Sequence, residues 1–129
     1  MHFCARFGRS MAYSVIVTSN AQAEFKSAIE YLSQNIGVIS AASELVDEFD
    51  GALDLISALP RSFPRHHEAS GLLDVDIRVA HVKKYNAYFF VDEDSRTVFV
   101  ISFLHMLQDS MSHISADFDS YIKESASSS

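Results

Sequence analysis

Four side chains in the second half of the chain have types and spacing that could do chemistry: Arg78, Lys83, Lys84 and His105. Guanidinium and ammonium groups stay charged at neutral pH and suit contact with negative charge, including charge that develops during a reaction. A histidine ordinarily titrates near neutrality, so His105 suits proton transfer. Arg65, His66, His67 and Glu68 precede this set and could join it. Each also has a reading without chemistry. Arg78 stands close to Asp76 in the chain and could simply pair with it, Lys83-Lys84 suits a solvated corner, and His66-His67 suits an exposed loop. No third ligand converges on the histidine pair and Cys4 is the single cysteine, so neither a metal site, a cofactor nor an intramolecular disulfide is expected.

These residues must be positioned by strands. Tyr85 to Asp92 and Thr97 to His105 are β-branched and aromatic runs separated by the polar Glu93-Asp94-Ser95-Arg96, which predicts a β-hairpin. A further strand is expected over about 74–82. On the middle strand Tyr85, Ala87, Phe89 and Val91 point one way and Asn86, Tyr88 and Phe90 the other. Both faces are rather apolar, which predicts a cover on one of them besides any helical hairpin. Upstream, residues 13–18 alternate as a strand. Ser19-Asn20 then offers capping side chains to a helix with Phe25, Ile29 and Leu32 on its stripe, ending near Asn35–Gly37. A second helix from Ser40 carries Leu45, Phe49, Ala52, Leu53 and Ile56 and stops at Pro60. Residues 61–71, with Pro64 and the two histidines, read as a loop. Met111, Ile114, Phe118 and Tyr121 recur at helical spacing, so a docked last helix is expected before the Ser-rich end. The predicted organisation is a flexible extension over 1–11, a domain over 12–109 and a helical tail over 110–129. The fold class is α+β: an N-terminal strand, then an antiparallel helical hairpin packed on one face of a mainly antiparallel sheet.

At 129 residues the chain suits one domain and one core. An apolar fraction of 48% with 21% charged residues is ordinary for a globular protein. No apolar run approaches the roughly 20 residues needed to span a bilayer, so no membrane association is expected. A net charge of −7 argues against generic polyanion binding. Between Asn20 and Ala58 only Lys26 opposes seven acids, whereas from Arg61 to Arg96 six bases balance six acids. An anion-binding surface would therefore lie on the strands. Sparse cysteine usage suits a reducing cytoplasm.

Four motifs carry a family resemblance: the strand-to-helix opening Tyr13, Val15, Ser19, Ala21; the first-helix core Ala28-Ile29-Glu30-Tyr31-Leu32; the stop Ile56-Ser57-Ala58-Leu59-Pro60; and the hairpin Arg78, Tyr85, Val91, Asp92 with its exit Leu104, His105 and Asp109. In order and spacing the chain resembles the RelE/ParE toxins of type II toxin–antitoxin systems from about Tyr13 to Asp109. The resemblance implies a small toxin neutralised by a cognate antitoxin that wraps its surface. In the ribonuclease branch, messenger RNA is cleaved on the ribosome by the neighbouring 2′-hydroxyl, and Arg78, Lys83 and His105 are the residues that could serve there. The ParE-like branch poisons DNA gyrase by protein–protein contact. A degenerate toxin that keeps only the binding fold is the third reading.

The departures from the pattern favour the second. A frequent family arginine after the hairpin tyrosine is Asn86 here, and the Arg-Arg before the closing Asp is Leu107-Gln108. Each missing guanidinium removes a charge-assisted phosphate contact worth about 1.5–3 kcal/mol. The expected mode is therefore ParE-like and without catalysis, with Tyr85, Tyr88, Phe90 and Phe103 as the partner-binding surface and a homodimer as another way to cover an apolar face.

Overall fold

The computed structural model describes residues 12–35 and 39–127. Strand β1 (Ser14–Val17) leads into helix α1 (Ser19–Glu30), which runs on through a π-helical turn at Tyr31–Asn35. Helix α2 (Ile39–Ala58), a 3-10 turn (Pro60–Ser62) and helix α3 (His67–Leu73) follow. Strands β2 (Arg78–Val82), β3 (Tyr85–Asp92) and β4 (Thr97–His105) and helix α4 (Ser110–Ser127) complete the chain. The expected flexible extension, and most of the expected stop of α1 at Asn35–Gly37, lie outside the described residues.

Three local expectations change. The cap of α1 is Thr18, whose hydroxyl accepts from the Ala21 N–H at 3.4 Å. Ser19 and Asn20 are already helical, and their side chains reach α4 instead. Residues 61–71 are not all loop, because His66 caps α3 by accepting the Ala69 N–H on Nδ1 at 3.1 Å. Helix α3 has seven residues, too few for a periodic signal, and its cap is a histidine rather than the usual Ser, Thr, Asp or Asn. Strand β2 starts at Arg78 and not near 74, since Asp74 adopts the left-handed conformation that ends α3.

The sheet order is β1-β4-β3-β2, with β1 parallel to β4 and the other pairs antiparallel. The outer edge of β2 is screened by the chain before α3: Val79 N–H donates to Pro64 C=O at 3.0 Å and His66 N–H to Ile77 C=O at 2.7 Å. Both faces carry helices, which accounts for the two apolar faces of β3. Under α1 and α2 lie Val15, Val17, Ala80, Ala87, Phe89, Val98, Val100 and Phe103, packed on Phe25, Leu45, Phe49 and Ile56. Phe25, Phe49 and Phe103 form a ring cluster with centroids 4.7–5.1 Å apart. On the other face Ile77, Tyr88, Ile101 and Leu104 pack with Ala69 of α3 and Ile114 of α4, and Phe90, Phe99, Phe118 and Tyr121 extend the cluster.

A bulge in β4 decides which side chains reach which face. Tyr88 pairs with Ser102 but Phe89 pairs with Val100, so Ile101 is an extra residue on β4. Strict alternation would put Ser102 with Val98 and Val100. After the bulge Phe103 and His105 fall on the α1 side, and Ser102 turns to α4.

Candidate functional site

Arg78 is not brought together with the other expected catalytic residues, whereas Lys83 and His105 lie at the same end of the sheet, where Lys84 C=O accepts the Met106 N–H at 2.9 Å. Arg78 opens β2 and Lys83 follows its end, roughly 16 Å further along the strand. The Arg78 guanidinium is engaged at all three nitrogens: Nε and Nη2 donate to Asp76 Oδ2 at 3.1 and 3.0 Å, and Nη1 donates to the carbonyls of Arg61 and Phe63 at 3.1 and 2.7 Å. Arg61 also donates to Asp76 Oδ2 at 3.1 Å. Arg65 Nε stands 3.0 Å from Oδ1 but off the direction of a hydrogen bond, so it supplies charge without a directed contact. Asp76 thus anchors three arginines that tie the chain before α3 to the sheet edge. Replacing Arg78 by alanine strands these acceptors and is expected to destabilise the fold by about 1–3 kcal/mol in urea unfolding. A purely catalytic arginine would leave the urea midpoint unchanged.

Lys83 sits in the β2–β3 turn with a positive φ of 57° and makes an exposed ion pair with Glu44 at 3.5 Å. His105 is at the far end of β4 opposite Tyr85, its ring edge-on to the tyrosine at 5.1 Å. Its Nδ1 accepts the Leu107 N–H at 3.1 Å, and the His105 backbone N–H donates to Gln108 Oε1 at 2.7 Å. The expected partner-binding residues are also divided. Phe103 is 2% exposed and stacks on Tyr85 beneath α1, whereas Tyr88, 4% exposed, and Phe90 lie under α3 and α4. They form no common surface, because strand alternation and the bulge send them to opposite faces.

What the fold does assemble is a cleft of about 580 Å³ at the C-terminal end of β4, between α1 and the start of α4. Tyr31, Tyr85, Phe103 and Leu107 give it apolar walls, and Glu24, His105, Gln108 and His113 add polar groups. Tyr31 is half exposed, and Leu107, at the position where the family pattern has an arginine, is 87% exposed. No Lys or Arg is among the described residues that line it. Burial and then the neighbouring Tyr31 raise the Tyr85 hydroxyl pKa, so this ring stays neutral.

The floor of the cleft is the Glu24 carboxyl, with Asp117 behind it. Glu24 Oε1 accepts the Phe103 N–H at 2.9 Å, and its carboxyl is hydrogen-bonded to Asp117 of α4. Asp117, 5% exposed, also accepts from Asn20 Nδ2 at 2.9 Å and Ser102 Oγ at 2.7 Å. Burial first, and then the Asp117 carboxyl, push Glu24 up to about 9, so it holds its proton at neutral pH and donates to Asp117. The sequence reading passed over both acids. The signal was present: Glu24 lies at i+3 from Ala21 and i−4 from Ala28, and Asp117 at i+3 from Ile114 and i−4 from Tyr121. Two acids on the apolar stripes of two helices mark a buried polar contact.

The aromatic walls offer a surface for apolar contact, with Glu24, His105, Gln108 and His113 as its polar groups. Among the described residues no group of three His, Cys, Asp or Glu could hold a metal ion, and no helix is long and apolar enough to cross a membrane. Residues 15–110 match a family model described as the ParE toxin of the parDE type II toxin–antitoxin system. No curated protein matches the sequence.

Proposed function

Because the chain belongs to the ParE toxin family of type II toxin–antitoxin systems, we propose that it arrests growth in the cytoplasm by protein–protein contact with a gyrase-type target. The family implies a cognate antitoxin, and binding of that antitoxin neutralises the toxin. The observation that carries this reading is the missing cation. Among the described residues the cleft beside His105 is lined by tyrosines, Phe103 and Leu107 with no Lys or Arg, and Arg78 is spent on Asp76 and two backbone carbonyls. Asn86, at another position where the pattern has an arginine, is likewise bound into the sheet surface through His81 and Tyr88. Of the residues expected at the partner interface Tyr85 keeps that role, joined by Tyr31, His105 and Leu107 at the cleft. Phe103 supports the cleft from beneath, and Tyr88 and Phe90 support the sheet under α4.

Induced expression of the chain, with primer-extension mapping of messenger RNA and a supercoiling assay on purified gyrase, tests this reading. The expected result is growth arrest with filamentation, inhibited supercoiling and no codon-phased cleavage. Ribosome-dependent cuts that vanish in His105→Ala would overturn it and establish the ribonuclease reading instead. Absence of arrest would overturn both.

A further inference from the structure

The cleft has the shape and polarity of a socket for one long side chain. Its walls are largely apolar and aromatic with His105, Gln108 and His113 among them, and its floor is the Glu24 carboxyl, which accepts the Phe103 N–H and is backed by Asp117, itself held by Asn20 and Ser102. A purely apolar plug would cover Glu24 and cut it off from water, and an anion would meet a carboxyl pair in a chain of net charge −7. A side chain with an apolar stem and a cationic tip fits both parts. Arginine fits better than lysine, since its planar guanidinium stacks on tyrosine rings and meets a carboxylate through two parallel hydrogen bonds. The groups facing the floor from the surrounding elements are Tyr31, Tyr85, His105 and His113, none of them a fixed cation that would repel it.

We propose that this cleft is the docking site of an arginine side chain of the cognate antitoxin, its stem along Tyr31 and Tyr85 and its guanidinium on Glu24. The inference rests on the toxin reading for the identity of the partner. It also predicts a proton balance. Glu24 is protonated in the free chain at neutral pH, and the guanidinium stabilises its carboxylate, so docking releases up to one proton to solvent and the charge of the site is kept.

The test titrates the full chain with acetyl-Gly-Arg-Gly-amide and with its citrulline counterpart, which keeps the shape and lacks the charge. The Tyr31 and Tyr85 ring resonances are followed by NMR, and heats are measured in two buffers of different ionisation enthalpy. The expected result is saturable binding of the arginine peptide with proton release at pH 7. Binding of the citrulline peptide, and of the arginine peptide to Glu24→Gln, is expected to be about tenfold weaker. Tyr31→Ala, at a half-exposed ring, is expected to weaken it severalfold without unfolding the chain. Equal affinity for the two peptides, unchanged affinity in Glu24→Gln, or no saturation would each overturn the socket. The growth assay is independent of this titration. Arrest without arginine binding leaves the toxin reading standing and removes the socket. Arginine binding without arrest removes the growth-arrest reading and keeps the socket, in a chain that retains only the binding fold.

Discussion

Replacing Phe103 by alanine is expected to destabilise the protein by about 3–5 kcal/mol, the range for deleting a fully packed aromatic side chain. The ring is 2% exposed, contacts Phe25 and Phe49 at 5.1 and 4.9 Å between centroids, and stacks on Tyr85 at 5.1 Å. Its loss removes the middle of a four-ring stack that joins α1, α2, β3 and β4. Such a loss is a large share of the 5–15 kcal/mol that holds a typical domain together. Urea unfolding of the variant beside Leu107→Ala makes the comparison. Leu107 is 87% exposed, and its truncation is expected to stay within about 0.5 kcal/mol. Similar urea midpoints for the two variants would return Phe103 to the partner surface that the sequence suggested.

Replacing Glu24 by glutamine is expected to stabilise the protein at alkaline pH and to leave it nearly unchanged near pH 4. The sign follows from proton counts. The folded carboxyl is raised from 4.5 to about 9, so between these limits the folded state holds a proton that the unfolded chain has released. Unfolding then sheds a proton, and the stability supplied by the protonated carboxyl is complete below about 4.5 and is lost as pH rises toward 9. The slope cannot exceed about 1.4 kcal/mol per pH unit. The partial exposure of Glu24 to the cleft reduces it through solvent screening. Glutamine does not titrate, yet its amide can donate to Asp117 while its oxygen accepts from Phe103. Urea midpoints of both proteins at pH 5, 7 and 8.5 decide the matter: a gap that widens with pH is expected, and a constant gap would refute the buried proton.

Much of the architecture is local in origin and was legible in the residues. The hairpin of β3 and β4 follows from two β-branched and aromatic runs around a polar turn, and α2 from its stripe of Leu45, Phe49, Leu53 and Ile56 ended by Pro60. The apolar character of both faces of β3 required a second cover, and the spacing of Ile114, Phe118 and Tyr121 supplied it as α4. The family was legible as well, because its motifs follow the same strand and helix boundaries.

Tertiary structure decided what those elements bring together. A single extra residue at Ile101 shifts the parity of β4, and with it the placement of Ser102, Phe103 and His105, which no periodic reading of the strand could locate. Arg78 pairs with Asp76, as their closeness in the chain allowed, but the backbone carbonyls of Arg61 and Phe63 that also hold it are brought to it only by the fold. Glu24 and Asp117 stand on helices nearly a hundred residues apart in sequence. Their shared hydrogen bond exists only because α1 and α4 meet at the bulged end of β4. Hydrophobic period is a property of a short segment, and so the sequence specified the elements. A site is a property of distances between segments, and packing alone set those.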